Sequence, residues 1–200
     1  MKKQYLKFLR MNFRVFIVSV LIMLTSCSES KYAKLVKTEM AKDVVNDSLM
    51  FGMKFGLTKK DFFDQCWKLN NAGTIVQGPS NEFVQYNFPV KEGDSSINDI
   101  KMLFYGIFDE EKIMTGMDLR FSYVAWSLWN ESLHADKLVP VVKDSLKSWY
   151  PGNDFIQVTT KKTKQNIFVK IDGNRRIIIE SLENNQEVNA RIDDLRYVLD

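Results

Sequence analysis

The sequence predicts an α+β fold built on one antiparallel sheet, and three observations on its 200 residues predict it. A well-capped amphipathic helix opens at Thr58, period-two apolar segments follow, and the order of helix, aromatic end, glycine turn and strands recurs after residue 133. The expected arrangement is two helix-plus-antiparallel-meander repeats, about 47–124 and 133–200, forming one curved antiparallel sheet with both helices packed on one face.

Before that domain comes a leader, residues 1–26. Lys2, Lys3, Lys7, Arg10 and Arg14 precede an apolar core at 15–24, the layout of an export signal. Ten residues in a helix rise about 15 Å, half of a ~30 Å hydrocarbon core, so the segment reads as a signal and not as a span. Thr25 and Ser26 supply small side chains for a peptidase groove, and Cys27 supplies a thiolate suited to thioether formation with a diacylglycerol. Leu24-Thr25-Ser26-Cys27 resembles the lipobox of bacterial lipoproteins, with Ser26 where Gly or Ala is commoner. That resemblance implies cleavage before Cys27, lipidation of its sulfur, acylation of the new amine, and a cell-envelope address with the membrane as a partner. Ser28 is not the aspartate that retains some lipoproteins at the inner membrane, which favours the outer one.

Composition changes once the leader is set aside. The chain has 28 basic and 25 acidic side chains; five basic ones belong to the leader, leaving 23 against 25 and a net charge of −2 in place of +3. The basic balance therefore belongs to targeting and argues for no nucleic acid partner. With Cys27 lipidated, Cys66 is the remaining thiol, so no internal disulfide is expected and a packed core must hold the fold. Cys66 sits among Phe62, Phe63 and Trp67 and reads as a small buried hydrophobe.

Residues 27–46 read as a lipidated tether, with Leu35, Val36, Met40 and Val44 spaced for a short helix over 33–45, and 47–200 as a single domain. Residues 47–57, with Phe51-Gly52 and Phe55-Gly56, read as a strand-like segment. The helix after Thr58 is expected to bury Phe62, Phe63, Cys66, Trp67 and Asn70, and Gly73 ends it. Strands are expected around Val84–Phe88, Ile100–Phe104 and Ile113–Tyr123, with the acidic run Asp109, Glu110 and Glu111 as a solvated hairpin tip. A second helix is expected at about 136–150, with Pro140 in its first turn or kinking it. Strands resume at Ile156, Ile167, Ile177 and Val188, with Lys161, Lys162 and Lys164 in a turn. The strings 118–121 and 194–197, Asp-Leu-Arg followed by Phe or Tyr, read as corresponding ends of the two repeats, the second needing a bulge.

The run 55–62, glycine then capping threonine then helix, resembles the opening of the barrel-assembly accessory lipoprotein family, and the doubled plan is similar to the β-lactamase-inhibitor protein architecture. Both likenesses imply a binding scaffold without catalysis. Chemistry in the residues points the same way. His134 is the single histidine, no Gly-x-Ser-x-Gly elbow accompanies it, Asp193 and Asp194 alternate faces of an extended chain, and the Gly152 and Gly173 segments are turn chemistry, so neither a metal site nor a cofactor is expected. The candidate contact residues are Tyr123, Trp126 and Trp129, which either present a stacking platform or lid the core between the halves. The expected function is a lipid-anchored, non-catalytic envelope protein that binds another protein or supports an envelope assembly. The alternative is a glycan- or peptide-binding lipoprotein using the aromatic loop, and a hydrolase dependent on His134 ranks third.

Overall fold

The computed structural model describes residues 30–89, 98–160 and 164–198. The leader with Cys27 and Ser28, the loop 91–97, and Lys161 and Lys162 lie outside the described residues. Two compact units divide the chain, Met1–Lys34 and Leu35–Asp200. In the first, the described part is Ser30 and the opening turn of helix α1 (Lys31–Met40), where Ser30 Oγ accepts the Ala33 N–H at 3.1 Å, as a helix cap does. The helix stops at Met40, short of the expected 45, where a turn carries Asp43 into the left-handed region at φ 53°.

In the second unit, residues 47–57 do not form the expected strand. Ser48 bridges Lys54 around a tight helical turn, Met50–Gly52, in which Phe51 takes φ 58° and Gly52 φ 72°. Helix α2 (Lys59–Asn71) then begins as its sequence dictates. Thr58 Oγ1 accepts the Asp61 N–H at 3.1 Å and the Asp61 carboxylate accepts the Thr58 N–H at 3.3 Å, a complete capping box. The segment before it is stitched to the sheet, since the Gly56 N–H donates to Met114 O at 2.9 Å and the Lys59 N–H to Lys112 O at 2.8 Å.

Strands β1 (Val76–Gln77), β2 (Val84–Asn87), β3 (Ile100–Phe108) and β4 (Met114–Tyr123) follow α2. Helix α3 (Ala135–Trp149) leads to β5 (Ile156–Thr159), β6 (Asn166–Asp172), β7 (Arg175–Ser181) and β8 (Val188–Asp194), and a short helical turn α4 (Leu195–Val198) closes the described chain. Together the strands make one eight-stranded antiparallel sheet in the order β1-β2-β3-β4-β8-β7-β6-β5. Two meanders thus meet at the β4–β8 seam.

Register fixes which side chains form the core. Phe104 stands opposite Leu119 and Met102 opposite Phe121; Leu119 stands opposite Ala190 and Met117 opposite Ile192; Ile192 stands opposite Ile177. Cross-strand partners share a face, so this row forms one apolar surface, and it is buried against Phe62 and Cys66 of α2 and Leu138, Val142 and Leu146 of α3. Each of the larger side chains, Phe, Leu, Ile, Val and Met, contributes about 1.5–3 kcal/mol by leaving water. The residues that alternate with these face the other way, where Asp193 is held by Arg176 Nη2 and Arg191 Nε, each at 2.6 Å.

Three expectations change. Phe63 and Trp67 are 48% and 67% exposed and Asn70 is exposed as well, so the buried stripe of α2 is narrower than expected. Pro140 is the sixth residue of α3, beyond the first turn, and the helix runs on through it to Trp149. The strings 118–121 and 194–197 are not equivalent: the first lies inside β4, whereas Asp194 ends β8 opposite Arg175 and Leu195–Val198 is helical. Apolar alternation slips there because the strand ends, without a bulge.

The β6–β7 hairpin tip is buried and gathers three other segments. The Gly173 N–H donates to Glu39 Oε2 at 3.2 Å, Asn174 Oδ1 accepts the Asn46 N–H at 2.6 Å, and Asp172 Oδ1 accepts the Asn153 N–H at 2.7 Å. Gly173 takes the positive φ, 56°, that a two-residue hairpin turn demands. A Cβ there would stand 2.1 Å from Val44 O. Burial alone raises the Glu39 carboxyl, but the Lys42 ammonium and the Gly173 N–H outweigh it and hold the group below its ordinary value. A carboxyl depressed in the folded state stabilises the fold above its unfolded pKa and loses that effect as pH falls through the native value.

Gly173→Ala should therefore lower the free energy of unfolding by about 2 kcal/mol or more, seen as a lower urea midpoint at unchanged slope. Glu39→Gln should destabilise at neutral pH, and its difference from the wild type should shrink as urea titrations are repeated down through the carboxylate range.

Candidate functional site

The aromatic run 123–129 leaves the end of β4, and the structure gives its three marked residues different surroundings. Tyr123 is 8% exposed and belongs to the core, Trp126 is half-buried and packs against that core, and Trp129 is 90% exposed. Leu128 is exposed beside Trp129.

One residue across the sheet holds this linker in place. Asn185, in the β7–β8 turn at φ 54°, presents its carbonyl to both Trp126 Nε1–H at 3.3 Å and the Ala135 N–H at 2.9 Å. Its side-chain Nδ2 lies 2.7 Å from His134 Nδ1, while His134 Nε2 lies 3.3 Å from Leu128 O. A carbonyl only accepts, so the Leu128 contact calls for a proton on Nε2, and both ring nitrogens are engaged. Asn130 then organises the turn Glu131–Leu133 by accepting the Ser132 N–H at 3.2 Å. His134 thus joins the linker to the sheet, through Leu128 on one side and Asn185 on the other. The result is a solvent-facing indole on a support fixed at both ends.

Reading the sequence missed a second aromatic surface. Phe63 and Trp67 project from α2 over a groove of about 480 Å³ that is completed by Val76 of β1 and by Phe83 and Val84 at the start of β2. The Arg120 guanidinium lies 4.6 Å over the Phe83 ring. A signal for this groove was present in the helix spacing. At about 100° per residue, positions 62, 66 and 69 make one stripe, and 63 and 67 fall a full step to its side. Cys66 borders the groove but is itself buried, and that burial pushes its thiol up to about 11, which keeps it protonated and unreactive at neutral pH.

Among the described residues, no three His, Cys, Asp or Glu side chains converge as a metal site, and no helix is long and apolar enough to cross a membrane.

Trp129→Ala should leave the unfolding free energy within about 0.5 kcal/mol of the wild type, while Trp126→Ala, which removes core contact and a hydrogen bond, should lower it by about 2 kcal/mol; paired thermal melts distinguish them. Cys66 should resist iodoacetamide at pH 8 in the folded protein and react within minutes in denaturant, as followed by peptide mass. No protein-family model, no curated protein and no solved structure matches the chain.

Proposed function

We propose that this protein is a lipid-anchored, non-catalytic component of the cell envelope, tethered through Cys27 and binding a protein partner through the surface around Trp129. The outer membrane is the favoured address, on the sequence around Ser28. The single observation that carries the partner reading is the 90% exposure of Trp129 on a loop fixed by Asn185. An indole presented on a rigid support loses little freedom when it is covered, and tryptophan is among the residues that dominate binding energy at protein interfaces. Trp126 has its N–H and much of its ring committed to the fold. One free indole suits a protein anchor better than it suits a sugar platform, which draws on stacked rings from more than one side.

The same reading extends to architecture. The order of α2 with β1–β4, then α3 with β5–β8, about the central seam supports a duplicated helix-and-meander unit. That support comes from topology and not from the paired four-residue strings, which occupy different structures.

Two measurements test the function. Feeding cells an alkyne fatty acid should label the wild type and leave Cys27→Ala unlabelled; equal labelling of both removes the anchor. A photo-crosslinking residue at 129 should give a discrete adduct in the native envelope, whereas one at the exposed Glu110, in the turn at the far end of β4, should not. Identical patterns from the two positions would remove the Trp129 surface as a partner site.

A further inference from the structure

A second cavity of about 480 Å³ lies away from the aromatic loop, between the segment 46–51, Tyr86 of β2, the end of α3 and Arg175 at the start of β7. Its walls are largely aromatic, from Phe51, Tyr86, Trp149 and Tyr150, and Arg175 is the one charged residue among those that line it. The size falls within the usual range of small-molecule sites, about 300–1,000 Å³.

Arg175 is 6% exposed; Asp172 acts on its charge through space, but no carboxylate makes a direct ion pair with it among the described residues. The two acids opposite it in the sheet are already engaged, Asp172 by Lys170 and by the Asn153 N–H, and Asp194 by Arg196. One Nη donates to Ser48 O at 3.2 Å, and the guanidinium carbon lies 4.6 Å over the Tyr150 ring. The buried Nε–H has no acceptor. A buried cation is ordinarily paired, and an unsatisfied buried donor is ordinarily avoided. Here a buried cation without a direct ion pair and a donor without an acceptor fall on one side chain, at the wall of a cavity.

The backbone beside it is also held in a costly form. Phe51 occupies the left-handed region at φ 58°, fixed by ring contacts to Tyr86 and Phe104 at 5.1 and 5.3 Å and by its carbonyl accepting from Gln65 Nε2 at 2.8 Å. Bulky residues seldom adopt that conformation, and where they do the surroundings enforce it, often at a binding site. In this case it turns the Phe51 ring onto Tyr86, which forms part of the cavity wall.

We propose that this cavity binds a small organic monocarboxylate with an aromatic or bulky apolar body, its carboxylate pairing with the Arg175 guanidinium and its body lying against Tyr86 and Trp149. One guanidinium neutralises one negative charge and offers a planar pair of donors to a planar acceptor, which matches a carboxylate. A dianionic phosphate finds no second cation among the lining residues.

The test uses 3-phenylpropionate as the probe, with 3-phenylpropionamide and phenyl phosphate as comparisons, titrated into the full chain while the Trp149 indole and Arg175 Nε–H resonances are followed. The acid should move both signals and bind at least tenfold more tightly than either comparison. Arg175→Gln should weaken the acid at least tenfold and bring it level with the amide. Should that variant fail to fold, Trp149→Leu, a change at a partly exposed position, should also weaken the acid about tenfold while the melt stays cooperative. An acetylated tripeptide ending in phenylalanine separates the two sources of such a carboxylate: tighter binding than the free acid assigns the site to chain termini, weaker binding to free acids. Equal affinity for acid and amide, tighter binding of phenyl phosphate, or no movement of the two resonances at millimolar acid would each overturn the proposal.

Discussion

The pairing of β4 with β8 is the constraint on which the rest of the second unit rests. Each meander has a single helix beside it, too little to cover the apolar face of four strands alone. The seam, running from Gly116 opposite Asp193 to Phe121 opposite Val188, puts Met117, Leu119 and Phe121 into the same layer as Val188, Ala190 and Ile192. One continuous face then receives both helices. A slip of one residue would turn this entire set outward, so the register is enforced by the whole core and not by any one pair. Close approach reinforces it, since a Cβ at Gly116 would stand 2.7 Å from Ile192 O.

Much of this was legible in the sequence because local rules and the global fold agree. Thr58 and Asp61 spell a helix start, and the structure builds both hydrogen bonds. The alternation through Met117, Leu119, Phe121 and Tyr123 marks an inward face, and all four are buried. The helix ending at Trp149 and the strands after it lie where periodicity placed them.

The illegible parts share a physical reason, which is that they depend on contacts distant in sequence. Nothing local says that residues 47–57 fold back; the reversal follows from Tyr150 accepting the Met50 N–H at 3.1 Å and Gln65 reaching the Phe51 carbonyl. Tyr123, Trp126 and Trp129 look alike as a string and diverge only because Asn185, more than fifty residues later, takes the indole of Trp126 and leaves that of Trp129 alone. Arg175 reads as an ordinary hairpin charge until its neighbouring acids are found committed elsewhere.

Asn185 ties together parts of the chain that connectivity would leave independent. Its carbonyl serves the first amide of α3 and the indole of the linker, and its amide serves the imidazole between them. Those bonds share one residue, so a displacement of its backbone loosens all of them. The display loop and the first turn of α3 therefore form a single cooperative element, and slow hydrogen exchange at Ala135 reports whether the exposed tryptophan is still held in its presented position.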